Sequence, residues 1–309
     1  MQSSSSNLRR ARPLLGTLVE ISARGDPSIV PAAVDRAFDA IERVHRLMSG
    51  HDPSSDVSRL NREAHRRAVE VDWHTWNVLK HAQRVATASD GAFDVTVAPR
   101  LVRWGYLPER GRPLPAVKPN GYRSVELLPR RRVRFRAPTL IDLGGIAKGY
   151  AVDLACDALE RCDVTDYVVN AGGDLRVGRT PTTVHVRHPG RPAATLALGT
   201  IRQSAIATSA RYFAGKRVDD GWVHPIVAPA TGDPARYRDS ISVQATDCMT
   251  ADALTKVVAV LHTDATPVLD RFGAEAVVLL QSGEWRRLPD CAREPISGIG
   301  RPPAGTVAA

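Results

Sequence analysis

The run Asp142-Leu143-Gly144-Gly145-Ile146-Ala147-Lys148-Gly149-Tyr150 holds the densest chemical pattern in the chain. Leu140 and Ile141 lead into it, two glycines turn the backbone, and a helix-forming stretch follows. Glycine lets the main chain approach a ligand closely. The first turn of a helix presents unpaired N–H groups and the positive end of a dipole, which suits a phosphate. Lys148 adds a cation within that turn, and Asp142 at the end of a short strand offers an acceptor for a ribose or purine hydrogen bond. The same pattern also serves as a plain strand–turn–helix junction, with the glycines there for geometry alone.

Four further stretches carry polar residues in marked positions. Asn170-Ala171-Gly172-Gly173-Asp174 reads as a tight turn between strands. Gly91 to Pro99 sets Asp94 inside an otherwise apolar, strand-like run with Ala92 and Phe93. A carboxylate there needs a hydrogen-bond partner or a ligand. Thr250 to Lys256 puts Asp252 in the first turn of a helix, where a negative charge is stabilising in any case. A carboxylate among carbonyl and phosphate oxygens is also the usual setting for Mg²⁺. His224 and Ile226 precede the turn Pro229-Ala230-Thr231-Gly232, and His224 is the only obvious general base. There is no Ser-His-Asp set, no His-Glu-x-x-His and no P-loop lysine motif.

The elements that must position these residues alternate between strand and helix. Leu18–Ala23 reads as a strand. A helix over 29–48 follows, with Val34, Phe38, Ile41, Val44 and Met48 at helical spacing. His51 to Ser58 is a polar loop, a second helix runs over 73–89, and Asp90-Gly91 ends it. Four prolines mark 107–120 as an excursion. Strands are expected at 123–127, 132–136 and 140–142, then through most of 166–208, then at 241–245 and 276–280, with a helix over 250–261. This mixture lacks a regular βαβ rhythm and predicts an α+β fold. Residues 1–8 and 296–309 are expected to be disordered tails around one domain over 9–295.

Composition narrows the function classes. The net charge of +9 comes mostly from arginine, since only five lysines occur. The basic residues are scattered, and the one dense run, Arg130 to Arg136, alternates with Val133 and Phe135 like the solvated face of a strand. An anionic ligand or an acidic protein partner therefore accounts for the charge, and nucleic-acid binding is not expected. Cys156, Cys162, Cys248 and Cys291 include no Cys-x-x-Cys pair and read as free thiols. No stretch approaches a membrane span and no export signal is visible, so a cytoplasmic location is expected.

Taken in order, the stretches resemble one family. Leu15-Gly16-Thr17, Pro53 with Ser58-Arg59-Leu60-Asn61, Ala92 to Thr96, Asp142 to Asp153, Asn170 to Asp174, Ala207-Thr208-Ser209, Pro229 to Gly232 and Ala251-Asp252-Ala253 resemble the ApbE family of FAD:protein FMN transferases across residues 13–262. The resemblance implies an ApbE-like (T-fold-like) α+β fold. It implies a Mg²⁺-dependent reaction in which FAD is split at its pyrophosphate, FMN is joined to a Ser or Thr hydroxyl of an acceptor flavoprotein, and AMP leaves. It implies FAD contacts at His51, Ala92, Phe93, Asp94, Asp142, Lys148 and Ile226, and Mg²⁺ ligation by the Gly145 carbonyl and Asp252.

The chain also departs from that pattern. Leu15 stands where the family has Met, and His51 where Tyr is usual. The family's His and Asp around the Pro-x-Thr-Gly turn fall on Pro225 and Ala228, with His224 one residue early. Lys256 stands in place of a metal-binding Thr, and Thr255 is one position off, a rotation of about 100° on a helix. Two alternatives to transfer follow: an FAD-binding protein of the same fold with weakened catalysis, and an FAD pyrophosphatase that passes FMN to water.

Overall fold

The computed structural model describes residues 6–111, 113–210, 214–218, 221–237 and 239–289. Along the chain, β1 (Ser6–Leu14) and β2 (Thr17–Gly25) form a hairpin, followed by α1 (Val30–Met48), α2 (Asp56–Glu63), β3 (Val69–Glu70), α3 (Trp73–Ala88) and α4 (Ala98–Arg103). Next come β4 (Val125–Leu128), β5 (Arg132–Phe135), α5 (Ala147–Glu160), β6 (Asp166–Ala171), β7 (Asp174–Val177), β8 (Thr182–His188), β9 (Arg191–Ile201) and β10 (Ser204–Ala210). Short strands β11 (Lys216–Val218), β12 (Gly221–Val223), β13 (Val227–Ala228) and β14 (Asp233–Pro234) precede β15 (Ser240–Ala245) and α6 (Cys248–Leu261). The described part closes with α7 (Thr266–Arg271), β16 (Glu275–Leu279) and β17 (Trp285–Leu288).

Eight strands make one sheet in the order β1-β2-β6-β7-β10-β15-β16-β17, and each neighbouring pair is antiparallel. Side chains alternate between the two faces, as the strand period requires. Ala205, Ala207 and Val169 point into the large core shared with α1, α5 and α6. Ile206, Val168, Val277 and Leu279 point the other way, against Val184, Val186 and Leu198 of the β8–β9 hairpin. The fold is α+β, with the helices on one face and a β hairpin on the other.

Four sequence expectations need correction. The disordered start over 1–8 conflicts with β1, which begins at Ser6; residues 1–5 lie outside the described part, as do the expected tail over 296–309 and Cys291. Residues 140–142 form no strand, and the strand-like run at Asp94 is a 3₁₀ turn over Val95–Val97 leading into α4. The polar loop over 51–58 gives way to α2, which is capped by the Ser55 hydroxyl accepting from the Ser58 N–H at 3.1 Å. The Arg130 to Arg136 run behaves as expected, since Arg132 and Arg134 are exposed while Val133 and Phe135 are buried on β5. Cys156, Cys162 and Cys248 are free thiols. Among the described residues, no helix is long and apolar enough to cross a membrane.

Candidate functional site

The turn before α5 is held from several sides. The Asn61 side chain on α2 brackets Ile141: its Oδ1 accepts from the Ile141 N–H at 2.8 Å, and its Nδ2 donates to the Ile141 carbonyl at 3.0 Å. The Asp142 N–H donates to the Val95 carbonyl at 2.8 Å. These bonds satisfy the backbone of a segment that has no strand partner. The Asp142 carboxylate accepts the Gly144 N–H at 3.0 Å, and burial pushes its pKa above the ordinary range.

Beneath this turn, α5, β7 and α6 bring together two acids and two lysines. The Lys148 ammonium donates to Asp174 and lies 3.8 Å from Asp252 Oδ1. The Lys256 ammonium donates to Asp252 Oδ1 and, at 2.9 Å, to the Asp252 carbonyl. The Gly149 N–H donates to Asp252 Oδ2 at 3.1 Å. Asp252 is fully buried, and Asp174 is 2% exposed. Burial alone would raise the Asp252 pKa, but the two ammoniums outweigh it and hold the carboxyl low. Burial alone would lower Lys148, but the charges of Asp174 and Asp252 keep it above the ordinary lysine value. Asp174 is pushed upward, first by burial and then by the Asp252 charge, against the pull of both ammoniums.

Above the cluster opens a cavity of about 690 Å³, within the roughly 300–1,000 Å³ usual for small-molecule sites. The tip of the β1–β2 hairpin, the end of α1, the loop after α4 and the segment before β13 enclose it. His51, Asp142, Gly145, Lys148 and Ile226 all line it, as does Lys256. Ala92, Phe93 and Asp94 line a smaller adjoining hollow that shares Asp142, Gly145, Ile226 and Lys256. Nine of the ten expected site residues therefore converge: eight on these two spaces, and Asp252 directly below.

Asp94 and His224 also have their polar atoms engaged within the fold. Asp94 Oδ1 accepts from the Thr96 N–H and hydroxyl at 2.8 and 2.7 Å, and its Oδ2 accepts from the Tyr122 N–H at 3.0 Å. Burial still raises its pKa against these bonds. His224, the tenth, lines neither space. It is 3% exposed, its Nδ1 accepts from the Ile226 N–H at 3.3 Å, and its Nε2 faces the Ala235 carbonyl at 2.8 Å. That pairing puts the proton on Nε2 and engages both ring nitrogens within the fold, so neither is directed at the cavity as the expected general base would be.

The donor set does not fit Mg²⁺ at Gly145 and Asp252. Magnesium demands octahedral oxygen coordination. Here Asp252 Oδ1 receives Lys256, and Oδ2 receives the Gly149 N–H. The Thr255 hydroxyl donates to the Asp252 carbonyl and meets Ser209 Oγ, both at 2.8 Å. An ammonium about 4 Å from a divalent ion would oppose it by on the order of 8 kcal/mol at an effective dielectric near 20. Among the described residues, no group of three or more His, Cys, Asp or Glu side chains gathers to hold a metal.

Sequence reasoning missed Asp174 and His45. In the sequence Asp174 reads as part of its Gly-Gly turn, and only the Lys148 contact reveals its place. His45 sits near the end of α1, lines the cavity and accepts the Leu15 N–H on Nδ1 at 3.3 Å. Its one sequence signal is a histidine next to the apolar Val44 stripe.

A sequence profile of the ApbE family matches residues 15–278. An FAD:protein FMN transferase from Vibrio cholerae is 29% identical over 265 residues, covering 78% of each chain. One from Haemophilus influenzae is 29% identical over 282 residues, covering 81% of this chain and 79% of that protein. The crystal structure of the ApbE protein from Thermotoga maritima superposes with a TM-score of 0.79 at 30% identity, covering 92% of this chain and 97% of that one.

Proposed function

The chain belongs to the ApbE family, and from that premise we propose that it transfers FMN from FAD to a hydroxyl of an acceptor flavoprotein. The observation that carries this reading is the pairing of a large, partly apolar cavity with two ammonium groups on its floor, beside the start of a helix. Leu101, Leu107, Ile226 and Tyr106 offer apolar surface to flat rings. Lys148 and Lys256 offer positive charge where a pyrophosphate would lie, and the start of α5 adds its dipole.

In this reading the FAD contacts are His51, Ala92, Phe93, Asp142, Lys148 and Ile226, with Asp94 shaping the turn beside them. A Ser or Thr oxygen of the acceptor bonds to the phosphorus of the FMN half. The bond from that phosphorus to the bridging oxygen breaks, AMP leaves with the electron pair, and the hydroxyl proton is released to the medium. The lysines hold the phosphates in line and offset charge building on the departing AMP. Among the described residues lining the larger cavity, Asp142 is the one carboxylate, and it faces the space where a nucleotide hydroxyl would bind. No step is assigned to Mg²⁺, because the residues present do not fit it.

Incubation with FAD and candidate acceptor flavoproteins tests the proposal. Mass spectrometry should find FMN esterified to a Ser or Thr, with one AMP per adduct. Free FMN and AMP without an adduct would replace transfer by hydrolysis, and unchanged FAD would leave a binding protein.

A further inference from the structure

We infer that the Lys256 ammonium takes the place of a divalent cation, so that this chain engages the pyrophosphate of FAD without metal. The inference rests on the FAD reading above and concerns how the same site supplies its positive charge.

Position is the first ground. Lys256 lines both the large cavity and the adjoining hollow, while its partner Asp252 is fully buried beneath. The ammonium thus stands at the boundary between a buried carboxylate and the space that receives the ligand. An ammonium has three donors. Two are directed at Asp252, at Oδ1 and at the carbonyl, which leaves one for a ligand oxygen.

The path of the side chain is the second ground. A Cβ built on Gly145 would lie 3.4 Å from Lys256 Cε and 3.9 Å from Cδ. The stem therefore runs beside the glycine turn, and the charged end is delivered to the start of α5. Phe93 Cε2, 3.7 Å from the same point, walls off another side.

Charge is the third. Asp174 and Asp252 bring two negative charges, and Lys148 and Lys256 bring two positive ones, so the cluster is formally neutral before any ion enters. Asp252 is the carboxylate a metal would need, and its oxygens are already bonded to Lys256 and the Gly149 N–H. Thr255, the neighbouring oxygen donor on α6, is turned to the Asp252 carbonyl and Ser209. A fixed ammonium is a point charge that binds phosphate well, and it is present without being recruited from solution.

The test is FAD titration of the full chain in EDTA and then in Mg²⁺, followed by flavin fluorescence, with Lys256→Thr and Lys256→Met beside the wild type. Mn²⁺ binding to the FAD-free proteins is read by electron paramagnetic resonance, and circular dichroism confirms folding. The wild type should bind FAD in EDTA within about threefold of its affinity in Mg²⁺, and it should leave Mn²⁺ free. Lys256→Thr and Lys256→Met should each lose about tenfold or more in EDTA, a factor equivalent to ~1.4 kcal/mol. Lys256→Thr should recover in Mg²⁺. Wild-type FAD binding that appears only with Mg²⁺, or stoichiometric Mn²⁺ uptake by the wild type, would overturn the inference while leaving the flavin reading intact. The wild-type Mn²⁺ result decides this even if both variants fail to fold. Absence of FAD binding in both buffers would overturn the flavin reading, and this inference with it.

Discussion

Replacing Gly149 with alanine probes how tightly the charged cluster depends on helix contact. Gly149 lies on α5 where that helix crosses the start of α6. A methyl group there would meet the Cys248 carbonyl oxygen at 2.2 Å, its carbon at 2.6 Å and Met249 Cα at 2.8 Å. All three are backbone atoms, so no side chain can rotate away. Ordinary contact begins near 3.4 Å, so the helices must part by 3.4 − 2.2 = 1.2 Å. Alanine gains about 1 kcal/mol over glycine in helix propensity, whereas overpacking of this kind costs about 1–3 kcal/mol or more. The balance is a net loss of up to about 2 kcal/mol, which lowers Tm by up to about 8 °C. The same shift draws Asp252 and Lys256 away from Lys148 and the Gly149 N–H, and a displacement near 1 Å costs about 10²-fold in turnover. Calorimetry and the rate of FMN transfer check these two effects, and an FAD titration reads binding beside them. An unchanged or higher Tm with unchanged FAD affinity would refute the close crossing of α5 and α6.

Three other outcomes are expected. His224→Gln should keep kcat within about threefold, because a true general base contributes roughly 10²–10⁴-fold; a loss in that larger range would restore His224 as the base. Asp142→Asn should weaken FAD binding by about tenfold, or ~1.4 kcal/mol, while keeping an acceptor for the Gly144 N–H, and equal affinity in calorimetry would remove Asp142 from the nucleotide contacts. His81 is held below the ordinary value of 6.5, first by burial and then by Arg84, against the Asp247 charge. The unfolded chain therefore takes up a proton below pH 6.5 that the fold resists, and stability falls as pH drops through that value. His81→Gln should flatten this decline between pH 7.5 and 5.5 in urea unfolding, and an unchanged slope would show that His81 is not its source.

What was legible in the sequence depended on whether a residue's neighbours in space were also its neighbours in the chain. The apolar stripe from Val34 to Met48 announces α1 because a helix packs one face, and all five named residues are buried. The edge strand β1 was hidden because its side chains are only exposed or half-buried. Its arginines face carboxylates, Arg10 and Arg12 on Asp35 and Arg12 also on Glu42, so no apolar alternation betrays it. The run around Asp94 imitates a strand, yet an aspartate that bonds the N–H two residues on makes a cap instead. Gly144, Gly145 and Lys148 were readable because strand–glycine–helix is a local device. Asp174 was not, since its partner Lys148 is 26 residues away. Burial of His224 against Ala235 and Tyr237 is likewise a property of packing rather than of spacing.

The β8–β9 hairpin covers the sheet face opposite the helices, and none of its described residues lines the cavity. The cluster of Lys148, Asp174, Lys256 and Asp252 lies on the helix side. Mutations among Val184, Val186 and Leu198 are thus judged by selection chiefly on whether the far face stays covered. Drift in the hairpin can alter how firmly the chain folds while leaving its chemistry untouched. Lineages of this fold can therefore remodel that surface, in length or in charge, without first having to protect the site.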